Sequence, residues 1–287
     1  VNLHHLPDSV TSAVGDGRRL GVRVRYAREA VILGTAGGPR AVRDVFGDGP
    51  LLLVNGDVLF EFDLRRLLAA HRRSGARATL AVRRNPVPHA YSPVVSDRTG
   101  RILSIAGRPR PERGAVSMFA SVHVLDPALL DRLPEGPSDS VRDLYIPLLA
   151  EGGRLQGVRF RGAWYDFGRP SLYRDAQLRL IPGPGRDRSL VDGRARIAGT
   201  ARVLRSVVGR GARVHAGARV ERSILWEGAV VEPGARAARA ILTTGAVVRA
   251  GERAEDVIVL PAQALPADGE AGGRVERRED MAWVELR

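Results

Sequence analysis

A segment toward the C-terminal end of the 287-residue chain repeats every 17 residues, a period that few folds accept. The runs VGRGARV (208–214), LWEGAVV (225–231) and LTTGAVV (242–248) align almost position by position. A looser copy sets Ala195 and Ile197 against Ala212 and Val214, and Val203 against Val220. Aliphatic residues recur about every six positions, as at Val208, Val214 and Val220, with Gly and Ala between them. This pattern predicts a triangular solenoid of about four coils. Each coil has three short strands that point one aliphatic side chain inward, with small residues at the corners. A period of 17 in place of 18 leaves one side a residue short. A Gly/Ala-rich linker would not keep three aliphatic positions in phase over successive turns.

Upstream, β-like runs at residues 22–27, 51–54, 78–82, 118–125 and 155–160 alternate with amphipathic helical stretches. One helix is predicted from Asp63 as N-cap to Gly75 as stop, another from Asp126 with Pro127 at its first position, and a third opens at Pro170. Such alternation predicts an open, Rossmann-like α/β sheet with ligands at the carboxyl ends of its strands. Some antiparallel pairing is expected around the Thr99-Gly100 turn and from the late strand at 155–160. The run IPGPGRDR (181–188) interrupts the pattern. The expected organisation is an α/β domain over 1–181, a linker at 182–188, a β-helix over 189–262 and a tail over 263–287.

The formal charge is +13, but all 45 basic residues are Arg and they are dispersed along the chain. A compositional bias explains this better than a nucleic-acid footprint, and attraction for nucleotides or phosphates is the expected use of the charge. The absence of Cys excludes disulfides and thiolate chemistry. No run of 18 apolar residues and no secretory leader is visible, so a cytoplasmic protein without membrane contact is expected.

Three segments carry candidate chemistry. The apolar run LLLVNGD (51–57) is expected as a buried strand that ends in Asn55, Gly56 and Asp57, which places a carboxylate at the ligand edge of the sheet; ordinary turn chemistry is the alternative. The Gly-rich stretch Leu33, Gly34, Thr35, Ala36 and Gly37 is expected as a link into a helix starting near Arg40, offering backbone N–H groups to a base or phosphate; a tight loop is the alternative. Asp166, in GAWYDFG (162–168), lies among aromatics and glycines, as a ligand or as a turn residue. His4, His5, His71, His89, His123 and His215 show no metal-ligand spacing beyond the adjacent pair.

In order, VNLHHLP, LGTAGG, LLLVNGDV, HVLDP and WYDFGRPSLY, followed by the repeats, resemble the sugar-1-phosphate nucleotidyltransferases. The nearest likeness is to mannose-1-phosphate guanylyltransferase-like and glucose-1-phosphate nucleotidyltransferase-like proteins with a C-terminal hexapeptide-repeat left-handed β-helix. The resemblance implies that Asp57 and Asp166 hold Mg²⁺ and that Glu29 and residues 33–37 meet the base. It implies sugar-phosphate contacts from Asn55, Gly56 and Arg108, the last standing where the family usually has Glu-Lys-Pro. The implied reaction joins a nucleoside triphosphate to a sugar 1-phosphate, releasing pyrophosphate. The family pattern G-x-G-T-R-x-x-P-x-T is not found between Val1 and Arg287. The expectation is therefore an α/β domain without its first strand and triphosphate loop, inactive as given. The alternatives are a non-catalytic subunit that binds nucleotide-sugar and, with His215 as base, an acyltransferase on the solenoid. The solenoid is expected to assemble homo-oligomers.

Overall fold

The computed structural model describes residues 1–86, 90–110, 113–183, 185, 187–265 and 273–286. His89 and part of the 263–287 tail lie outside the described residues. Contacts divide the chain into two compact units, Val1–Trp164 and Tyr165–Arg287. The division precedes the 181–188 break because the helix Pro170–Arg179 buries Leu178 against Ile224 and Ile241 of the solenoid.

The first unit runs β1 (Asn2–Leu3), α1 (Pro7–Val14), β2 (Ala27–Arg28), α2 (Gly34–Ala41), β3 (Leu51–Val54), β4 (Val58–Phe60), α3 (Leu64–Ser74), β5 (Ala78–Arg83), β6 (Pro93–Ser96), β7 (Ile102–Ile105), β8 (Ala115–Leu125), α4 (Ile146–Ala150) and β9 (Leu155–Arg159). Its main sheet has the order β7-β6-β8-β5-β9, with β3 also pairing β8. The sheet is mixed as expected and the pairs made by β8 are antiparallel, but the late strand β9, expected to pair antiparallel, lies parallel to β5. Strand β5 is covered on both faces, and Ala78, Thr79, Leu80, Ala81 and Val82 are all buried, whereas β3, the run expected to be buried, leaves Leu52 and Val54 exposed because among the described residues it has a partner strand on one side alone.

Helix α3 begins where Asp63 Oδ1 accepts from Arg65 N–H at 3.0 Å and ends at Gly75, whose φ is 61°. The helix predicted after Asp126 is instead a 3₁₀ segment, Pro127–Arg132. Leu133 precedes Pro134 and is extended, which stops the segment before a full α-helix develops. The strand predicted at 22–27 contracts to β2, which pairs in parallel with β1. Upstream of β2, Val22 and Val24 N–H donate to Gly17 and Asp16 carbonyls, so their backbone closes a turn.

In the second unit, parallel ladders pair residues 17 apart, such as Arg196 with Arg213 and Val207 with Ile224. The three ladders form the sides of a parallel β-solenoid of about four turns. Val208, Leu225 and Leu242 stack inward in one column, and Val214, Val231 and Val248 in another, all buried. Two corners turn on glycines with positive φ, among them Gly211 and Gly217. The third turns on a single residue in the left-handed region, Arg205, Arg222, Arg239 and Asp256 in successive coils, and this is the side that is one residue short. Beside it, Ser206 N–H donates to Ser189 Oγ, Ser223 N–H to Ser206 Oγ and Ala240 N–H to Ser223 Oγ, at 3.0, 3.1 and 3.0 Å.

The tail adds an antiparallel hairpin, Val275–Arg278 and Met281–Glu285, whose second strand pairs with Val257–Pro261. It buries Met281 and Trp283 against the solenoid core and covers a strand edge that would otherwise be open. Among the described residues, no helix is long and apolar enough to cross a membrane.

Candidate functional site

The site in the first unit is organised by the middle of β8. The register between β5 and β8 shifts between Leu80 and Val82, and Ser121 on β8 has φ 60°, the signature of a bulge. The bulge turns the Ser121 carbonyl toward Asn55, whose N–H donates to it at 3.0 Å. This bond fixes the end of β3 and the turn that carries Gly56 and Asp57. Asp57 is exposed, and its side chain makes no hydrogen bond or ion pair with any described residue.

Three residues back along β8, Met118 pairs with Pro93, whose carbonyl accepts from Ala106 N–H at 2.8 Å. Ala106 and Gly107, with φ 52° and 76°, make the tight turn that presents Arg108. Arg108 and Ile105 exchange backbone hydrogen bonds, and the Arg108 side chain is exposed. The turn bearing Asp57 is therefore tied to β8, and the turn bearing Arg108 to β6, the strand beside it.

Sequence reasoning missed the aromatic wall beside β8. Trp164 Nε1 donates to the Ala120 carbonyl at 3.1 Å and meets Tyr91 edge to face at 5.4 Å. Arg83 lies over Phe160 and Trp164, 5.4 and 5.6 Å from the ring centroids, and donates to the Gly162 carbonyl. Burial lowers the pKa of Arg83 from its ordinary value. A nearby cleft of about 480 Å³ is lined by Asn85, Tyr91, Ser92, Pro93, Val116 and Ser117. The interrupted alternation of VSMFAS (116–121) was the signal available for the bulge, and the aromatic contacts had none.

The Gly-rich stretch differs from expectation. Residues 34–41 are themselves helix α2, with Leu33 as N-cap, so no loop precedes a helix at Arg40. Ala36 and Gly37 N–H both donate to the Ser138 carbonyl, at 2.9 and 3.2 Å, and Ser138 N–H donates to Leu33 O. Leu33 N–H is held by Glu29 Oε2 at 3.0 Å. Three N–H groups expected to face a ligand are thus used inside the protein. The glycines serve close packing: a Cβ at Gly37 would stand 2.4 Å from the Gly136 carbonyl. Thr35 Oγ1 donates to Asp139 Oδ2 at 3.0 Å, and Asp139 Oδ1 caps the π-helical turn Ser140–Tyr145 through Val141 and Arg142 N–H. Glu29 Oε1 is buried without a hydrogen-bond partner, against Gly38. That orphaned acceptor is the feature of this segment that asks for a donor.

Asp166 belongs to the second unit, where its Oδ1 accepts from Gly168 N–H at 2.7 Å in a turn. His215 is exposed on the solenoid's outer surface. Among the described residues, no group of three or more His, Asp or Glu is arranged to hold a metal. A Mg²⁺ ion bound together with substrate phosphates needs only one or two carboxylates, and the unengaged Asp57 meets that requirement.

The family model described as nucleotidyl transferase matches residues 1–181. The chain belongs to the nucleotidyl transferase family. A second model, described as the GlmU-like C-terminal hexapeptide, matches residues 185–255 and accounts for the solenoid as a hexapeptide-repeat left-handed β-helix. Similar proteins include the mannose-1-phosphate guanylyltransferase catalytic subunit beta of Dictyostelium discoideum, 32% identical over 53% of this chain and 43% of its own length. A UTP–glucose-1-phosphate uridylyltransferase of Synechocystis sp. is 29% identical over 60% of this chain and 48% of its own. The mannose-1-phosphate guanylyltransferase of Mycobacterium tuberculosis is 32% identical over 59% and 47%. The chain spans about half the length of the curated relatives it matches. In this nucleotidyl transferase, then, Asp57 stands unengaged in a turn tied to β8, while residues 34–37 are packed as a helix.

Proposed function

We propose that the chain works on a nucleoside triphosphate and a sugar 1-phosphate, mannose or glucose 1-phosphate, giving a nucleotide-sugar and pyrophosphate. The observation that carries this reading is the unengaged carboxylate of Asp57, in a turn held to β8 by the Asn55–Ser121 backbone hydrogen bond. The reaction is an in-line displacement. An oxygen of the sugar phosphate bonds to the α-phosphorus, the bond from that phosphorus to the bridging oxygen breaks, and pyrophosphate leaves with the electron pair. Such a displacement asks for alignment and charge neutralisation more than for proton transfer.

Asp57 is the residue we assign to Mg²⁺, with Asp166 as the second carboxylate that the family resemblance implies. When bound, the ion neutralises phosphate charge and orients the reacting groups. Arg108 supplies a fixed cation for the sugar phosphate, and the orphaned Glu29 Oε1 offers an acceptor to a base N–H. The hexapeptide match supports assembly into homo-oligomers through the solenoid.

Calorimetric titration with GDP-mannose and UDP-glucose, with and without Mg²⁺, tests the reading because it needs no bound triphosphate. One nucleotide-sugar is expected to bind with Mg²⁺ dependence. Asp57→Asn should remove that dependence and weaken binding by about tenfold or more, leaving the fold intact. Absence of binding to both, or an Asp57→Asn protein that keeps its Mg²⁺ dependence, would refute it.

A further inference from the structure

The solenoid is electrically lopsided along its axis. Residues 189–222, its first two coils, hold eight arginines against Asp192 and Glu221, whereas residues 223–256 hold four arginines against five acids. Register turns this count into columns. Arg202, Arg219, Arg236 and Arg253 are paired neighbours on successive strands of one side, about 4.8 Å apart from strand to strand. Arg205, Arg222 and Arg239 repeat at the adjoining short corner.

The two halves differ in how many of these cations are paired, Arg253 being the one of the later coils without an ion pair to a described residue. In the later coils, Arg236 meets Glu221 and Glu255, and Arg239 is held by Asp256 from the next coil. In the first two coils, Arg202, Arg205, Arg219 and Arg222 form no ion pair with any described residue, and all four are exposed. The place one coil beyond Arg205, where Asp256 answers Arg239, is occupied by Arg222. Arg205 and Arg222 also sit at φ 45° and 48°, where glycine would be accommodated with less strain, as at the solenoid's other corners. Like charges are thus held together on strained backbone with no internal counterion.

We propose that this face binds a linear oligophosphate anion, laid across the first two coils. Guanidinium groups on adjacent strands allow one phosphate to bridge them, and the flat side suits a chain that makes several such contacts in sequence. No Phe, Tyr or Trp occurs between residues 189 and 222, so the face lacks the stacking platform of a single-stranded nucleic-acid site. The same surplus of positive charge disfavours a second copy of this chain on that face. The dispersion of Arg seen in the linear sequence is therefore a tertiary concentration.

The test uses the full chain and labelled inorganic polyphosphate, followed by fluorescence anisotropy at two ionic strengths. The variant is Arg205→Gly combined with Arg222→Gly, which removes two cations while suiting the left-handed corner. Its melting temperature should be unchanged or raised, its affinity lower by about tenfold or more, and its salt dependence shallower. The control, Arg236→Gln combined with Arg239→Gln, both ion-paired in the later coils, should change affinity by less than about threefold. The proposal is overturned if polyphosphate does not bind saturably, if the two double variants lose affinity equally, or if polyglutamate or an oligodeoxythymidine of matched charge binds as tightly.

Discussion

At the scale of single residues, burial decides what His123 can do. Its Nδ1 is hydrogen-bonded to Tyr145 Oη, both side chains are enclosed, and burial holds the imidazole pKa down to about 4 while raising that of Tyr145. Because the folded value lies below the unfolded 6.5, neither state is protonated above that pH and stability is at its full value there. As pH falls from about 6.5 toward 4, the unfolded chain takes up a proton that the folded chain refuses, and stability is lost, by up to about 3 kcal/mol. Urea unfolding over that window should show the loss in the parent chain and a smaller one in His123→Gln. Equal slopes would show that the histidine is not buried in its neutral form. The sequence shows no metal-ligand spacing around His123, but nothing in HVLDP revealed its Tyr145 partner, which lies 22 positions away.

At the scale of elements, the short side of each coil has its own support. The 17-residue period was legible as a missing residue, and the structure places the deficit at the corner beside Ser206 and Ser223, both fully buried. Ser223 Oγ accepts from Ala240 N–H and donates to the Glu221 carbonyl, so one hydroxyl serves two backbone groups on neighbouring coils. Ser223→Ala should leave a buried N–H unsatisfied and cost about 1–3 kcal/mol in thermal unfolding, with faster hydrogen exchange at Ala240. An unchanged stability would mean that the corner relaxes without the ladder. The closing hairpin is the other element the sequence did not disclose. Its second strand, MAWVE (281–285), is too short and too mixed to stand out until Trp283 is seen against the coils.

At the scale of the whole molecule, two units with separate cores should unfold separately. The first is built on a mixed sheet and the second on stacked nearest-neighbour coils, so calorimetry is expected to resolve two transitions. A single transition with equal calorimetric and van't Hoff enthalpies would show that they unfold as one. Light scattering is expected to give a mass above that of a single copy, through the solenoid, and a monomer at working concentration would end that proposal. The apolar outer column Ile224 and Ile241 is covered within the unit by Leu178, so it is not the surface such an assembly would use.

What the sequence determined by itself was whatever repeats locally or alternates with a fixed period. The solenoid with its inward columns, the mixed α/β sheet and the Asp63 cap all follow from spacing, because side-chain direction is set by local backbone geometry. Tertiary structure decided matters that depend on which distant backbone groups find each other. The Ser138 carbonyl drew the glycines of residues 33–37 into a helix, Leu178 drew its helix to the solenoid, and strand register gathered dispersed arginines into a column. Those outcomes depend on partners far apart in the chain, and no local pattern of residues encodes that proximity.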